Sequence, residues 1–329
     1  MSASIENLNG CFLLPFPEAR ELMVSELEKR LNADFTGLKW YGDLCCLPNY
    51  SVLDSDGNVD LDKVPYWCSS AMAKPFLLHF DSIGEAATSL KQIQRSWAPY
   101  QFTCFRRASL IQDKLPYVNL KNRNFPFEYP HSPIGLYTLI DDHTIVASAL
   151  TSSELPAGLI TFNEDHENPP SRAYLKIQES LSLAHHFFDV DLPGEQSRCF
   201  EAGACPGGWT WVIAWLKSKV FAVDRAPLAP SLMENPLVSF EAHDAFTYTP
   251  EELGEFDWVF SDVICYPERL LGWIKTWLGS GKTKKMICTI KMQGEIDWNL
   301  VKEFASIPDS KVVHLHYNKH ELTFIHVEK

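Results

Sequence analysis

Two lysines and two acids stand beside strand-like or helix-like segments of the chain: Lys176, Asp262, Lys291 and Glu321. Asp262 closes the apolar run Asp257-Trp-Val-Phe-Ser-Asp262, and Lys291 closes Met286-Ile-Cys-Thr-Ile-Lys291. Charges at the ends of adjacent buried strands are costly unless paired, so their coincidence is informative. A simple strand-end ion pair would also account for Asp262 and Lys291, and Lys176 or Glu321 taken singly reads as a solvated surface residue. As a set, the four suit removal of a weakly acidic proton. A lysine is a base when burial or a nearby cation favours its neutral form, and in its cationic form it stabilises an oxyanion.

Between the first two of these residues lies Glu201-Ala-Gly-Ala-Cys-Pro-Gly-Gly-Trp209, which reads as a strand end, a glycine turn and a helix start. Gly203, Gly207 and Gly208 leave the backbone approachable, and Pro206 stiffens the turn. The helix expected from Trp209 to about Lys217 offers its first amides to a carboxylate. Asp224 closes the next strand, where an acid can accept sugar hydroxyls, and Asp244 follows in Ala-His-Asp-Ala-Phe. Either acid could instead be a turn cap. The spacing Gly203-Ala-Cys-Pro-Gly207 lacks the G-x-G-x-x-G of a dinucleotide loop, and Cys205 is not a nucleophile candidate.

These residues need a scaffold of alternating helices and strands. Ser171 follows Pro170 and is expected to cap a helix in which Ala173, Ile177, Ala184 and Phe188 recur at helical spacing, with Lys176 on a neighbouring face. Strands are expected at Arg198–Glu201, Lys219–Asp224, Asp257–Asp262, Met286–Lys291, Val312–His316 and Leu322–Val327. Alternation with helices means βαβ units and a mostly parallel sheet, while the short Tyr317–Glu321 connection forces the last two strands to pair antiparallel.

The set Lys176, Asp262, Lys291 and Glu321, behind the Gly203–Gly208 loop, resembles the K-D-K-E tetrad of the FtsJ-like (RrmJ-like) ribose 2'-O-methyltransferases. The resemblance covers roughly residues 171–329. Ala-Cys-Pro-Gly-Gly-Trp-Thr-Trp and Ala-Val-Asp-Arg-Ala-Pro-Leu-Ala-Pro-Ser-Leu-Met are similar to the RlmM-like branch acting on a cytidine of large-subunit (23S) rRNA. It implies a Rossmann-like class I fold whose mostly parallel sheet ends in an antiparallel hairpin, with S-adenosylmethionine as cofactor and RNA as partner. Lys291 would then be the base, assisted by Asp262 and Lys176, with Glu321 positioning the ribose. Gly207, Trp209, Asp224, Asp244 and Asp262 match the cofactor positions, joined by Ser171 and the loop residues Gly203, Cys205, Pro206 and Gly208. Glu201 stands where the family more often has aspartate and is expected to keep the acidic character, whereas Lys291-Met-Gln-Gly departs from a more apolar run. Methylation of tRNA or an mRNA cap, and a non-catalytic RNA-binding or assembly role, are the alternatives.

Residues 1–162 form the expected α+β accessory domain, THUMP-like by position and length, and 163–329 the methyltransferase domain. Cys11-Phe-Leu-Leu-Pro reads as a strand, Glu18–Leu31 as a helix, and the segments around Asp141-Asp-His as a hairpin; Asn163–Pro170 reads as the linker. Net charge is −13, contrary to a generally basic nucleic-acid module. Yet Lys91, Arg95, Arg106, Arg107, Lys114, Lys121 and Arg123 cluster with Trp97, Tyr100, Phe102, Phe105, Tyr117, Phe125 and Phe127. That mixture suits phosphates and stacked, unpaired bases, and equally a charged face over an aromatic core. Nine cysteines without a C-x-x-C pair and eleven histidines without H-E-x-x-H offer no metal-ligand spacing. With no basic leader and no apolar run near the roughly 20 residues of a membrane helix, the expected address is the cytoplasm.

Overall fold

The computed structural model describes residues 3–328, which divide into two compact units. The first takes the chain up to Arg123 together with Tyr129–Thr161; the second takes Asn124–Glu128 and the chain from Phe162 onward.

The first unit contains β1 (Ser4–Asn7), β2 (Cys11–Pro15), α1 (Arg20–Lys29), β3 (Lys39–Tyr41), β4 (Leu44–Leu47), β5 (Cys68–Met72), β6 (Phe76–His79), α2 (Ile83–Ile93), β7 (Trp97–Pro99), α3 (Phe105–Gln112), β8 (Gly135–Leu139) and β9 (Thr144–Ser148). One sheet runs β1-β6-β9-β8-β7 and another β3-β4-β2-β5. Strand alternation divides the central side chains between two cores. Leu78, Tyr137, Ile145 and Ala147 pack with Ala86, Leu90 and Ile111 of α2 and α3. Leu136 and Val146 instead meet Phe12, Leu14 and Leu44 of the second sheet. The strand at Cys11, the helix within Glu18–Leu31 and the β8–β9 hairpin are where the residue pattern places them.

The second unit contains α4 (Tyr174–Phe188), β10 (Arg198–Ala202), α5 (Gly208–Trp215), β11 (Lys219–Asp224), α6 (Pro230–Met233), β12 (Val238–Ala242), α7 (Pro250–Leu253), β13 (Trp258–Ser261), α8 (Pro267–Ser280), β14 (Lys285–Lys291), α9 (Trp298–Ala305), β15 (Ser310–Val313) and β16 (Glu321–Val327). Its sheet has the order β12-β11-β10-β13-β14-β16-β15. The first five strands in that order are parallel, and β16 is antiparallel to both β14 and β15. This is a Rossmann-like arrangement, mostly parallel, that ends in an antiparallel hairpin. Central strands are buried on both faces, which is why they read as unbroken apolar runs; Phe200, Trp258, Phe260 and Phe324 are at most 1% exposed.

Three readings of the chain need correction. Strand β12 escaped detection because its half-exposed edge position leaves no continuous apolar run. Strand β15 begins and ends earlier than Val312–His316, since the amides of His316 and Tyr317 bond to a side chain instead. Ser171 does not cap α4: the N-cap is Ala173 and no side chain caps it. Residues 163–170 form no regular element, as the linker reading expects; the Phe162 amide just before them donates to the Tyr317 hydroxyl and the Asp165 amide to the Tyr174 hydroxyl, both at 2.7 Å. No helix among the described residues is long and apolar enough to cross a membrane.

Candidate functional site

All four candidate catalytic residues lie along the edge of the sheet where the parallel strands end. Lys291 is the last residue of β14 and Glu321 the first of β16, and the antiparallel register sets them directly opposite each other. Asp262 follows β13, with its amide donating to Ala202 at 3.2 Å. Lys176 comes from the first turn of α4. Two ion pairs result: Lys291 Nζ lies 3.0 Å from Asp262 Oδ1, and Lys176 Nζ 2.5 Å from Glu321 Oε1. Their side chains are only 14–21% exposed. The Lys291–Asp262 contact is an ion contact without hydrogen-bond alignment, and Glu321 Oε2 is buried with no hydrogen-bond partner among the described residues. Such an acceptor is costly to bury unless something else donates to it.

The glycine loop begins as β10 ends, with the Gly203 amide on the Val223 carbonyl at 2.9 Å. Gly207, at φ 112°, is the left-handed N-cap of α5, and a β-carbon there would fall 2.2 Å from Leu232 Cδ1. At Gly208 a β-carbon would come within 2.5 Å of Ser171 Oγ. That hydroxyl is itself buried and unpartnered. The close approach at both glycines is thus to protein, whereas the first-turn amides of α5 lack intrahelical acceptors and remain for a ligand. Trp209 faces the core rather than the loop: it is 2% exposed and edge-on to Phe260.

Asp224 accepts the Cys205 amide at Oδ2 (3.0 Å) and the Ala226 amide at Oδ1 (3.1 Å), tying loop to strand end. The peptide bond Cys205–Pro206 is cis. Asp244 accepts from the Phe246 amide at 3.1 Å and from Arg225 at 2.7 Å, with Arg269 at 3.6 Å. Burial pushes its carboxyl up, but that amide and the two guanidinium groups outweigh burial and hold it below the ordinary carboxylate range.

Two acid–base groups escaped the sequence reading. Glu179, one turn after Lys176 on α4, is buried and accepts the amides of His316 (2.9 Å) and Tyr317 (3.2 Å), anchoring the connection that delivers Glu321. Only the K-x-x-E spacing from Lys176 could have signalled it, and at that spacing a glutamate usually reads as surface. Desolvation pushes Glu179 up to about 8. His314 Nδ1 lies 3.0 Å from the Glu321 carbonyl, and burial drives its imidazole down to about 4. Thr210 donates to Glu201 at 2.6 Å. Glu201, read as keeping the acidic character of its position, is 1% exposed, and desolvation lifts its carboxyl to about 8.

The basic cluster does not form one free surface. Arg95, Arg106, Lys114 and Lys121 are exposed. Arg107 instead lies 5.4 Å over the Phe80 ring, and Arg123 donates to the Asn119 carbonyl at 2.5 Å. Among the interleaved aromatics Trp97 is fully buried, while Phe105 and Tyr117 are 58% and 81% exposed.

The FtsJ-like methyltransferase family matches residues 169–297. Ribosomal RNA large subunit methyltransferase M of Pseudomonas fluorescens is 34% identical over 152 residues, 45% of this chain and 41% of that protein. Its namesake in Pseudomonas putida is 32% identical over 170 residues, 50% of this chain and 46% of that protein. The chain therefore spans less than half the length of these curated relatives. Among solved structures, fibrillarin of Aeropyrum pernix with S-adenosyl-L-methionine bound aligns at TM-score 0.33 and 16% identity, over 61% of this chain and 85% of that one; a likeness at that score carries no weight.

Two outcomes follow. Glu179 and Glu201 have folded-state values raised above the ordinary 4.5, so the stability they contribute is full below that pH and is lost as pH rises through about 8. His314 acts oppositely, its contribution being lost as pH falls from 6.5 toward about 4. Melting temperature should decline from pH 6.5 to 9, and Glu201→Gln should flatten that decline; an unchanged slope would remove Glu201 as its source. Gly207→Ala should destabilise the unit by about 1–3 kcal/mol in urea titration through its positive φ.

Proposed function

We propose, from the premise that this chain carries an FtsJ-like methyltransferase domain over residues 169–297, that it transfers a methyl group from S-adenosylmethionine to a ribose 2'-hydroxyl in RNA. The substrate proposed is large-subunit rRNA, at a cytidine. The observation that carries this reading is the adjacency of the Lys291–Asp262 and Lys176–Glu321 pairs across β14 and β16. The relatives named as large-subunit rRNA methyltransferases support the choice of RNA.

The residues fit the cofactor. The first-turn amides of α5 would hold its carboxylate, Asp224 would accept its ribose hydroxyls with the lone pairs left beside Cys205 and Ala226, and Asp244 would take the adenine edge. When bound, the cofactor supplies an electrophilic methyl group on a sulfonium. The chain's own groups do the rest. Lys291 enters the step as the neutral amine, takes the hydroxyl proton, and becomes the ammonium that Asp262 pairs. Lys176, held by Glu321, places positive charge beside the developing alkoxide. Glu321 Oε2, buried without a partner, accepts from the sugar and fixes its orientation. The first unit, as a THUMP-like domain, grips RNA through Arg95, Arg106 and Lys121 with Phe105 and Tyr117; Arg107 and Arg123 contribute structure instead.

The test is transfer of labelled methyl to large-subunit rRNA from cells lacking this protein: an alkali-resistant 2'-O-methyl nucleotide is expected, and no incorporation with intact cofactor binding would overturn the reading. Lys291→Ala should lower transfer at least about 100-fold while calorimetric cofactor affinity stays within about twofold; joint loss would sink its role as base. Arg95→Ala with Arg106→Ala should weaken RNA binding and flatten its salt dependence. Unchanged affinity would take that face out of the interface.

A further inference from the structure

The turn that follows β11 carries a cation across to the neighbouring strand. Asp224 closes β11, and the His243 amide just after β12 donates to its carbonyl at 3.1 Å, so the two parallel strands deliver Asp224 and Asp244 to the same stretch of sheet edge. Arg225 leaves the chain next to Asp224 and donates through Nη2 to Asp244 Oδ2 at 2.7 Å. The other carboxylate oxygen, Oδ1, accepts the Phe246 amide at 3.1 Å. A carboxylate bonded at both oxygens is fixed in rotation, and each oxygen keeps a further lone pair. A second guanidinium, that of Arg269 on α8, stands 3.6 Å from Oδ2 and 5.1 Å from the centre of the Phe246 ring, which is itself stacked on Trp273 at 4.7 Å. Without Arg225, Oδ2 keeps this ion contact but loses its aligned donor.

We infer that Arg225 is the positioning residue through which Asp244 selects a 6-aminopurine over a 6-oxopurine at the nucleoside end of the cofactor site. The inference rests on the reading of this site as one that binds S-adenosylmethionine, and adds what fixes the acid that faces the purine. An adenosine whose ribose is held at Asp224 extends its base along the sheet edge toward the next strand end, where Asp244 stands. There the remaining lone pairs of the carboxylate meet the group at the purine 6-position. An amine donates to them, whereas a carbonyl sets acceptor against acceptor. The choice holds while the carboxylate stays ionised, because a protonated acid is able to donate to the carbonyl. Burial pushes the Asp244 carboxyl up, but the Phe246 amide and the two guanidiniums outweigh it. Arg225 is 78% exposed, so its ion pair adds little to the stability of the fold. Its effect is on the direction in which Asp244 points.

The test is calorimetry on the full chain with S-adenosylhomocysteine and S-inosylhomocysteine, which differ at the purine 6-position and the adjoining N1 proton. The unaltered chain should bind the adenosyl ligand at least about tenfold more tightly. Arg225→Ala should weaken that ligand about fivefold and the inosyl ligand less than about twofold, with the melting temperature unmoved. Arg225→Lys keeps a charged donor for the single bond and should recover most of the loss. Asp244→Asn, whose amide donates to a carbonyl, should bring the two ligands within about threefold of each other. Equal losses of both ligands on Arg225→Ala would assign Arg225 to the ribose side or to the fold and overturn the inference. So would an adenosyl affinity that does not move, or an unaltered chain that binds both ligands equally. If the unaltered chain binds neither ligand, the reading of the site as a cofactor site fails and this inference falls with it, a result distinct from a changed ratio of the two affinities.

Discussion

Four charges gathered at one end of a buried sheet must neutralise one another, and much of the second unit serves that requirement. Lys291 and Glu321 are cross-strand neighbours, but each finds its ion-pair partner elsewhere: Asp262 on the adjoining parallel strand end and Lys176 on α4. The antiparallel entry of β16 is what brings Glu321 to this edge. A parallel strand in that place would start at the opposite end of the sheet. The pairing is also incomplete, since Glu321 Oε2 is buried with no donor among the described residues, which leaves an acceptor inside the charged cluster that the fold itself does not satisfy.

Helix α4 is the second constraint. It is buried nearly all round, and it carries polar groups inward: Lys176 to Glu321, and Glu179 to the backbone of His316 and Tyr317. One helix thus sets both the position of a charged pair member and the path of the chain that delivers its partner. His314 and Asn318 complete the support by bonding the Glu321 carbonyl at 3.0 and 3.1 Å. On the other flank, the loop from Gly203 to Gly208 is fixed by Asp224 and by glycines that accept close neighbours, so its amides are held in place before any ligand arrives. Preorganisation of this kind limits what a bound cofactor must order on binding.

The two units carry their polar groups differently. In the second, charge is concentrated at the strand ends. In the first, part of the basic cluster is consumed by structure, with Arg107 over Phe80 and Arg123 on a carbonyl, and the remaining exposed cations share the surface with Phe105 and Tyr117. A net charge of −13 is compatible with local basic character of this sort, because the Debye length confines each patch to its own neighbourhood.

The central strands and the terminal hairpin could be read from the chain because strands buried on both faces need unbroken apolar runs and a five-residue connection leaves no room for a crossover. Asp262 and Lys291 stood out for a related reason: a charge that closes an apolar run is seldom buried without a partner. Edge strand β12, half in solvent, left no such pattern, and the start of α4 was misplaced because a serine after a proline is a cap only if its hydroxyl faces the first turn, whereas here it faces Gly208. Which lysine pairs with which acid, the burial that raises the Glu201 carboxyl, the inward turn of Glu179 and Arg107, and the exposure of Ile264 and Tyr266 were decided only in three dimensions. Each depends on desolvation and on neighbours distant in sequence, such as the 145 residues separating Lys176 from Glu321, and no local pattern encodes either.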